Sequence, residues 1–231
     1  MNVWGGLGFL CILVVFYALL RACARANYTN WGHTWLNYLD GLNRILCQKY
    51  HRLRYTALSL PKTGAAIVVA NHVSGLDPFL LVAATRRPLR FLIAKEIYDI
   101  KFINFLFRAL GCIPVDRTGR PENALRAAMR ALQMGEVIAL FPQGGIVTPS
   151  ELPHKLKRGS LWLAHHTQTP VYPVHISGVK AVGEVIQGII QRSDARLVTY
   201  PSCNYTMEAE SLEELQRILE GLVMTEPPNL P

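Results

Sequence analysis

Charge is scarce in this sequence: 17% of its residues are Asp, Glu, Lys or Arg, against about a quarter in ordinary globular chains. Acids are scarcer than bases, 16 against 24, which leaves a net charge of +8. With 50% hydrophobic residues, the chain falls outside the disordered class, which pairs low hydrophobicity with high charge. The basic surplus points to an anionic partner: a phosphate, a nucleic acid or an acidic membrane leaflet. Cysteines are also few and scattered. Cys11, Cys23, Cys47, Cys112 and Cys203 are odd in number, and none lie at the spacing of a zinc knuckle or a redox pair. A disulfide framework is therefore not expected, and a reducing compartment fits best. Cys47 and Cys112 have apolar neighbours and should act as small buried hydrophobes.

Several chemistries are missing. No P-loop pattern occurs, and Gly5-Gly6-Leu7-Gly8 precedes any strand, so it is not a dinucleotide fingerprint. Lys155-Leu156-Lys157-Arg158 is too short and too poor in aromatics for nucleic acid to be an expected partner. His165 and His166 have no carboxylate at ligand spacing, and His33, His51, His154 and His175 stand alone, so no metal site is expected. At 231 residues, the chain can bury one sizeable core but is short for a two-domain enzyme.

One long uncharged run is present. The 18 residues from Val3 to Leu20 would reach ~27 Å as a helix, just enough to span a bilayer. Gly5, Gly6 and Gly8 weaken its first turns, so an embedded, non-spanning anchor competes with a spanning helix. Ala22-Cys23-Ala24 mimics a signal-peptide cleavage site, but no Lys or Arg precedes the run, as a signal peptide requires. Arg21 and Arg25 follow it instead, then Arg44, Lys49, Arg52 and Arg54, a bias that puts the downstream chain on the cytoplasmic face of a membrane. Residues 1–26 are read as the anchor. Residues 27–53 are read as an amphipathic helix with Trp31, Trp35, Tyr38, Leu42 and Ile45 on one face, set against either a core or lipid headgroups.

From Arg54 onward, short β-branched runs alternate with helical ones. Strands are expected at 65–70, 90–94, 112–115, 137–141, 171–176 and 196–200, and helices at 78–85, 97–110, 121–134 and 159–167. Ser211 and Glu214 read as a capping box for a last helix ending near Val223. The expected fold is α/β, a mixed and largely parallel sheet flanked by helices. The catalytic domain is placed at 54–225 and a loose tail at 226–231.

In such a sheet, chemistry collects where strands end. The first buried strand ends in Asn71-His72-Val73-Ser74-Gly75-Leu76-Asp77. Across a Gly-containing turn, an imidazole and a carboxylate can pair, the acid fixing the ring's tautomer. Ser74 lacks the context of a nucleophile elbow, so His72 is suited to deprotonate a hydroxyl of the substrate. The plainer alternative is that Asn71 and Asp77 cap the next helix.

Further segments follow in order: Gly111 to Arg117, Phe141-Pro142-Gln143-Gly144-Gly145, Leu156-Lys157-Arg158-Gly159 and Pro170-Val171-Tyr172-Pro173. With Asn71, His72 and Asp77 they resemble the ordered blocks of the glycerolipid acyltransferase family, of the lysophosphatidate acyltransferase type. The resemblance implies a membrane enzyme that moves a fatty acyl group from acyl-CoA or acyl carrier protein, a co-substrate and not a cofactor, to a lipid hydroxyl. By that resemblance His72 and Asp77 are catalytic. Asn71, Lys95, Arg117, Gln143, Gly144, Gly145 and Lys157 would contact substrate.

One block departs from the family. Gln143 and Ile146 stand where the family usually has Glu and Arg, which depletes the expected phosphate site. A glycolipid, a glycosylated terpenoid or a zwitterionic lysolipid is therefore an alternative acceptor, and a catalytically silent membrane-binding relative is the remaining alternative. Phe102, Phe105, Leu106 and Phe107 suit either core packing or an acyl groove.

Overall fold

The computed structural model describes residues 3–222. The expected tail at 226–231 lies outside them. Helix α1 (Val3–Ala26) is followed by α2 (Thr34–Ile45), which runs into a π-helical turn, Leu46–Tyr50. The α/β body comprises β1 (Arg54–Tyr55), β2 (Ala66–Ala70), α3 (Asp77–Ala84), β3 (Leu89–Ala94), α4 (Lys95–Tyr98), α5 (Asn104–Ala109), β4 (Ile113–Val115), α6 (Glu122–Gln133) and β5 (Val137–Leu140). It continues through α7 (Gly159–Thr167), β6 (Val171–Ser177), α8 (Ile186–Ile190), β7 (Arg196–Thr199) and α9 (Ala209–Leu219).

The strands form one sheet in the order β1-β7-β6-β2-β5-β3-β4. Every neighbouring pair is parallel except β6 with β7. Strand β2 is central and wholly buried, which explains its unbroken apolar run. Its side chains alternate between two cores, as a period of two demands. Ala66, Val68 and Ala70 join α3 and Cys47 on one face, while Ile67 and Val69 meet α6, α7 and α9 on the other.

The predicted helix over 27–53 begins only at Thr34. The Asn30 side-chain oxygen accepts from the Gly32 amide, Gly32 takes φ +80°, and the Trp31 amide donates to Asn37, so Trp31 falls ahead of the helix. Nor is the inward face of α2 purely apolar. Arg44, 1% exposed, is salt-bridged to Asp40 at 2.7 Å, and its guanidinium also donates to the carbonyls of Ala83 (2.8 Å) and Thr85 (2.5 Å). Those carbonyls close the C-terminal end of α3, where a helix leaves acceptors unpaired and prefers a cation. A buried ion pair thus locks the N-terminal helices to the helix whose first residue is Asp77.

Two helices also differ from their expected bounds. The expected helix 97–110 is broken into α4 and α5, because Asn104 donates its side-chain amide to the Tyr98 carbonyl (2.7 Å) and closes a turn between them. Ser211 does not cap α9, which starts two residues earlier after Glu208; its hydroxyl pairs with Thr206 instead. Val223 lies outside the described residues.

All five cysteines are free. Burial pushes the Cys47 thiol up to about 12 and the Cys112 thiol to about 11, so neither carries appreciable thiolate at pH 8. On alkylation at pH 8 the half-buried Cys203 is expected to react, with Cys47 and Cys112 reacting only after denaturation. Peptide mass spectrometry reads the order directly.

Candidate active site

The carboxyl ends of β2, β5 and β6 bring the site together. Leaving β2, the chain turns through residues 71–76 and enters α3 at Asp77. The Asp77 side chain is fully buried and points back into that turn. Its Oδ2 accepts three hydrogen bonds: from His72 Nδ1 at 2.8 Å, from the Val73 amide at 2.6 Å and from the Ser74 amide at 2.9 Å. A carboxylate has the lone pairs for this and no proton to give. Nδ1 of His72 is therefore the donor, and in the neutral ring Nε2 is left as the basic nitrogen. Asp77 consequently does not cap its own helix; it holds the turn and the ring.

His72 is fixed on three further sides. Its ring stacks on Phe141, with centroids 4.1 Å apart and planes 15° from parallel. Its amide donates to Gln143 Oε1 at 2.6 Å, and its carbonyl accepts from the Val147 amide at 2.8 Å. The side chain stays 18% exposed, so one edge of the ring can be reached from outside. Ser74 is buried, and its hydroxyl donates to Asp77 Oδ1 (3.4 Å) while accepting from the Leu76 amide. It shapes the turn and does not present a nucleophile.

The other expected site residues divide sharply. Asn71 and Gln143 were expected to meet substrate. Asn71 instead clasps the backbone of β6, accepting from the Ile176 amide at 2.7 Å and donating to its carbonyl at 2.9 Å. Gln143 is buried, with Oε1 committed to His72. Both are held because their partners are main-chain groups, of β6 for Asn71 and of the turn after β2 for Gln143, where an unpaired donor or acceptor is costly.

Gly144 has φ +79°, and a Cβ there would lie 2.4 Å from Cε of Lys157. Glycine is thus demanded both by the backbone and by the lysine crossing it. Lys157 is exposed and its amide donates to the Pro142 carbonyl, so the segments 141–145 and 156–159 form one turn beside His72. A Cβ on Gly145 would meet open space.

Lys95 and Arg117 follow β3 and β4, whose carboxyl ends lie at the same edge of the parallel sheet as those of β2 and β5. Lys95 is exposed and 3.6 Å from Asp99. Arg117 is exposed, on a loop after β4 whose Asp116 carboxyl is held below its ordinary range by the Gly119 and Thr118 amides. The acyl-groove residues also separate. Phe107 packs on the core, while Phe102 is 90% exposed and Phe105 62% exposed, so these two neither pack inward nor line an enclosed groove.

Two contributors escaped the sequence reading. Phe141, expected to end a strand and open one of the family-like segments, stacks on His72, and His154, expected to stand alone, has its Nε2 3.3 Å from the Gln143 carbonyl. Nothing in their spacing signals either contact.

The family model described as Acyltransferase matches residues 52–177. A probable 1-acyl-sn-glycerol-3-phosphate acyltransferase of Mycoplasma genitalium is 32% identical over 119 residues, 48% of this chain and 44% of that protein. A lyso-ornithine lipid O-acyltransferase of Rhodobacter capsulatus is 34% identical over 100 residues, 43% of this chain and 36% of that protein. The matches span about half the length of the curated relatives. In fold, the chain is similar to the crystal structure of the 1-acyl-sn-glycerophosphate acyltransferase of Thermotoga maritima, with a TM-score of 0.61, 22% identity and 80% of each chain covered.

Proposed function

Because the chain belongs to the acyltransferase family, we propose that it is an O-acyltransferase that moves a fatty acyl group from an acyl thioester to the free hydroxyl of a lysophospholipid, with 1-acylglycerol 3-phosphate as the acceptor. The observation that carries this is the His72 to Asp77 pair, with Nδ1 held by the acid and the ring partly open. Nε2 takes the proton from the acceptor hydroxyl while that oxygen attacks the thioester carbonyl. The C–S bond then breaks, and the leaving thiolate receives the proton back from the imidazolium. Asp77 stabilises the imidazolium while it exists, as the acid does in a catalytic triad. Acyl-CoA or acyl carrier protein supplies the thioester, and no further cofactor takes part.

Helix α1 supports a membrane setting. Gly8–Ala26 has a mean hydropathy of 2.0, and almost none of it is covered by protein. On this reading α1 is the anchor, and the Arg residues that follow it hold the catalytic body on the cytoplasmic face. Lys157, crossing Gly144 beside His72, is the cation best placed to receive an anionic headgroup.

A second acceptor has a specific observation in its favour. Gln143 and Ile146 replace the Glu and Arg usual in that block of the family, and one relative is named for a lyso-ornithine lipid, whose headgroup is zwitterionic. A panel of lysolipids with one labelled acyl donor separates the two. If lysophosphatidate is native, it gives the highest kcat/KM in the panel. If a zwitterionic lysolipid is native, it ranks first, and Gln143→Glu with Ile146→Arg raises turnover of lysophosphatidate by about tenfold, the worth of one added charge-assisted contact. A panel in which no lysolipid is acylated would overturn the proposed activity.

A further inference from the structure

The loop after β6 and helix α8 lie beyond the region that matches the family, and they are joined to the catalytic turn. The Gly75 amide donates to the Glu184 carbonyl at 3.0 Å, and the Gly183 amide to the Val73 carbonyl at 2.9 Å. The approach is so close that a Cβ on Gly75 would fall 2.3 Å from the Val185 carbonyl oxygen. Yet this segment is strongly apolar on its outer side: Val185 is 55% exposed, Ile186 69% and Ile190 64%. No described residue covers them, although the same segment is fixed tightly on its inner side.

Continuity with α1 and α2 says what covers them. The outward side of α2 exposes Trp35, Leu39 and Leu42, spaced by four and three residues as one helical face. Trp35 lies against Phe105 at 6.2 Å between ring centroids, which brings the exposed ring of α5 to the same surface. At the end of the π-helical turn that follows α2, the Tyr50 hydroxyl donates to the Ile190 carbonyl at 2.8 Å, and His51 Nε2 lies 3.0 Å from the Ile189 carbonyl. Apolar surface therefore runs from α1 along α2 to α8 and ends at the catalytic turn. Exposed Lys49, Lys180 and Arg192 border its α8 end, as suits an anionic leaflet.

We infer that residues 182–190 are a second membrane-seating element, dipping into the interface of an anionic bilayer beside His72 and coupling that contact to the catalytic turn. Val185, Ile186 and Ile190 enter the acyl boundary. The two amide bonds to Val73 and Glu184 keep the turn at a fixed height above it, so an acceptor reaches His72 without leaving the leaflet. This rests on the membrane setting of the proposed function and adds a contact to it.

The test uses the full chain in vesicles of phosphatidylglycerol and brominated-tail phosphatidylcholine. Tryptophan is introduced by Ile186→Trp or, as a control on the exposed side of α9, by Glu213→Trp, and the emission added over the parent is followed. The bromines should quench the signal from position 186 by about half or more, as expected for a side chain seated some 5–10 Å into the interface, and should leave position 213 unchanged. Equal quenching at both positions overturns the inference.

A kinetic arm excludes a purely structural prop. Ile186→Asp with Ile190→Asp should slow transfer to a long-chain acceptor in vesicles about tenfold, through lost apolar insertion, and leave transfer to a monodisperse short-chain acceptor unaltered. Equal slowing on both acceptors overturns it. Quenching needs no turnover: a quenched but inactive protein would sink the proposed activity alone, and an active but unquenched one would sink this surface alone.

Discussion

Replacing His72 with alanine is expected to reduce acyl transfer by up to ~10⁴-fold while leaving the fold and its melting temperature nearly unchanged. The reason for the separation lies in the bonds. What the backbone of residue 72 contributes to the turn, its amide to Gln143 and its carbonyl to Val147, does not involve the ring. The ring is partly exposed and touches Phe141 with one face, so its loss opens no deep cavity. Circular dichroism, thermal melting and a labelled-acyl assay on the same preparations check both halves. A large drop in melting temperature would show that His72 is a structural residue first.

Asp77 should behave differently according to what replaces it. In Asp77→Asn the amide oxygen can keep accepting from the main chain, but the negative charge that steadies an imidazolium is gone. Transfer is expected to fall ~10²- to 10³-fold with little change in stability. In Asp77→Ala the amides of Val73 and Ser74 lose their acceptor inside the protein, and each buried unpaired group costs about 1–3 kcal/mol. That variant should be as inactive as His72→Ala and should melt roughly 5–15 °C lower, given a few degrees per kcal/mol for a chain of this size. If both variants lost only stability and kept their rate when folded, the acid would be structural and no partner of a base.

Much of this was legible in the sequence because the signals are local. A short β-branched run such as Ala66–Ala70, bounded by turn residues, reads as a strand buried on both faces, and His72 and Asp77 lie close enough in the chain for one turn to join them. Pro121 and Gly135 bracket α6 by their own backbone chemistry. The illegible parts depend on distant main-chain groups. Asn71 is tied to the backbone of Ile176, 105 residues on, and Gln143 Oε1 to an amide 71 residues before it. Side-chain identity carries no record of such partners. Helix α8 had no signal for a related reason: Ile186–Ile190 is one short turn whose apolar residues face outward, a pattern that periodicity cannot tell from a loop. Arg44 was read as one more topogenic charge, and only the packing of α2 on α3 shows why it is buried.

The most direct measurement of the chemistry is a single-turnover experiment on the full chain in vesicles, with a radiolabelled acyl thioester and a lysolipid acceptor, followed by separation of lipid from protein. Direct attack by a hydroxyl deprotonated by His72 predicts label passing from thioester to lipid with none held on the protein at any time, and only a trace moving in His72→Ala over the same interval. Label that accumulates on the protein before reaching lipid, or that reaches lipid at an undiminished rate without His72, would contradict it.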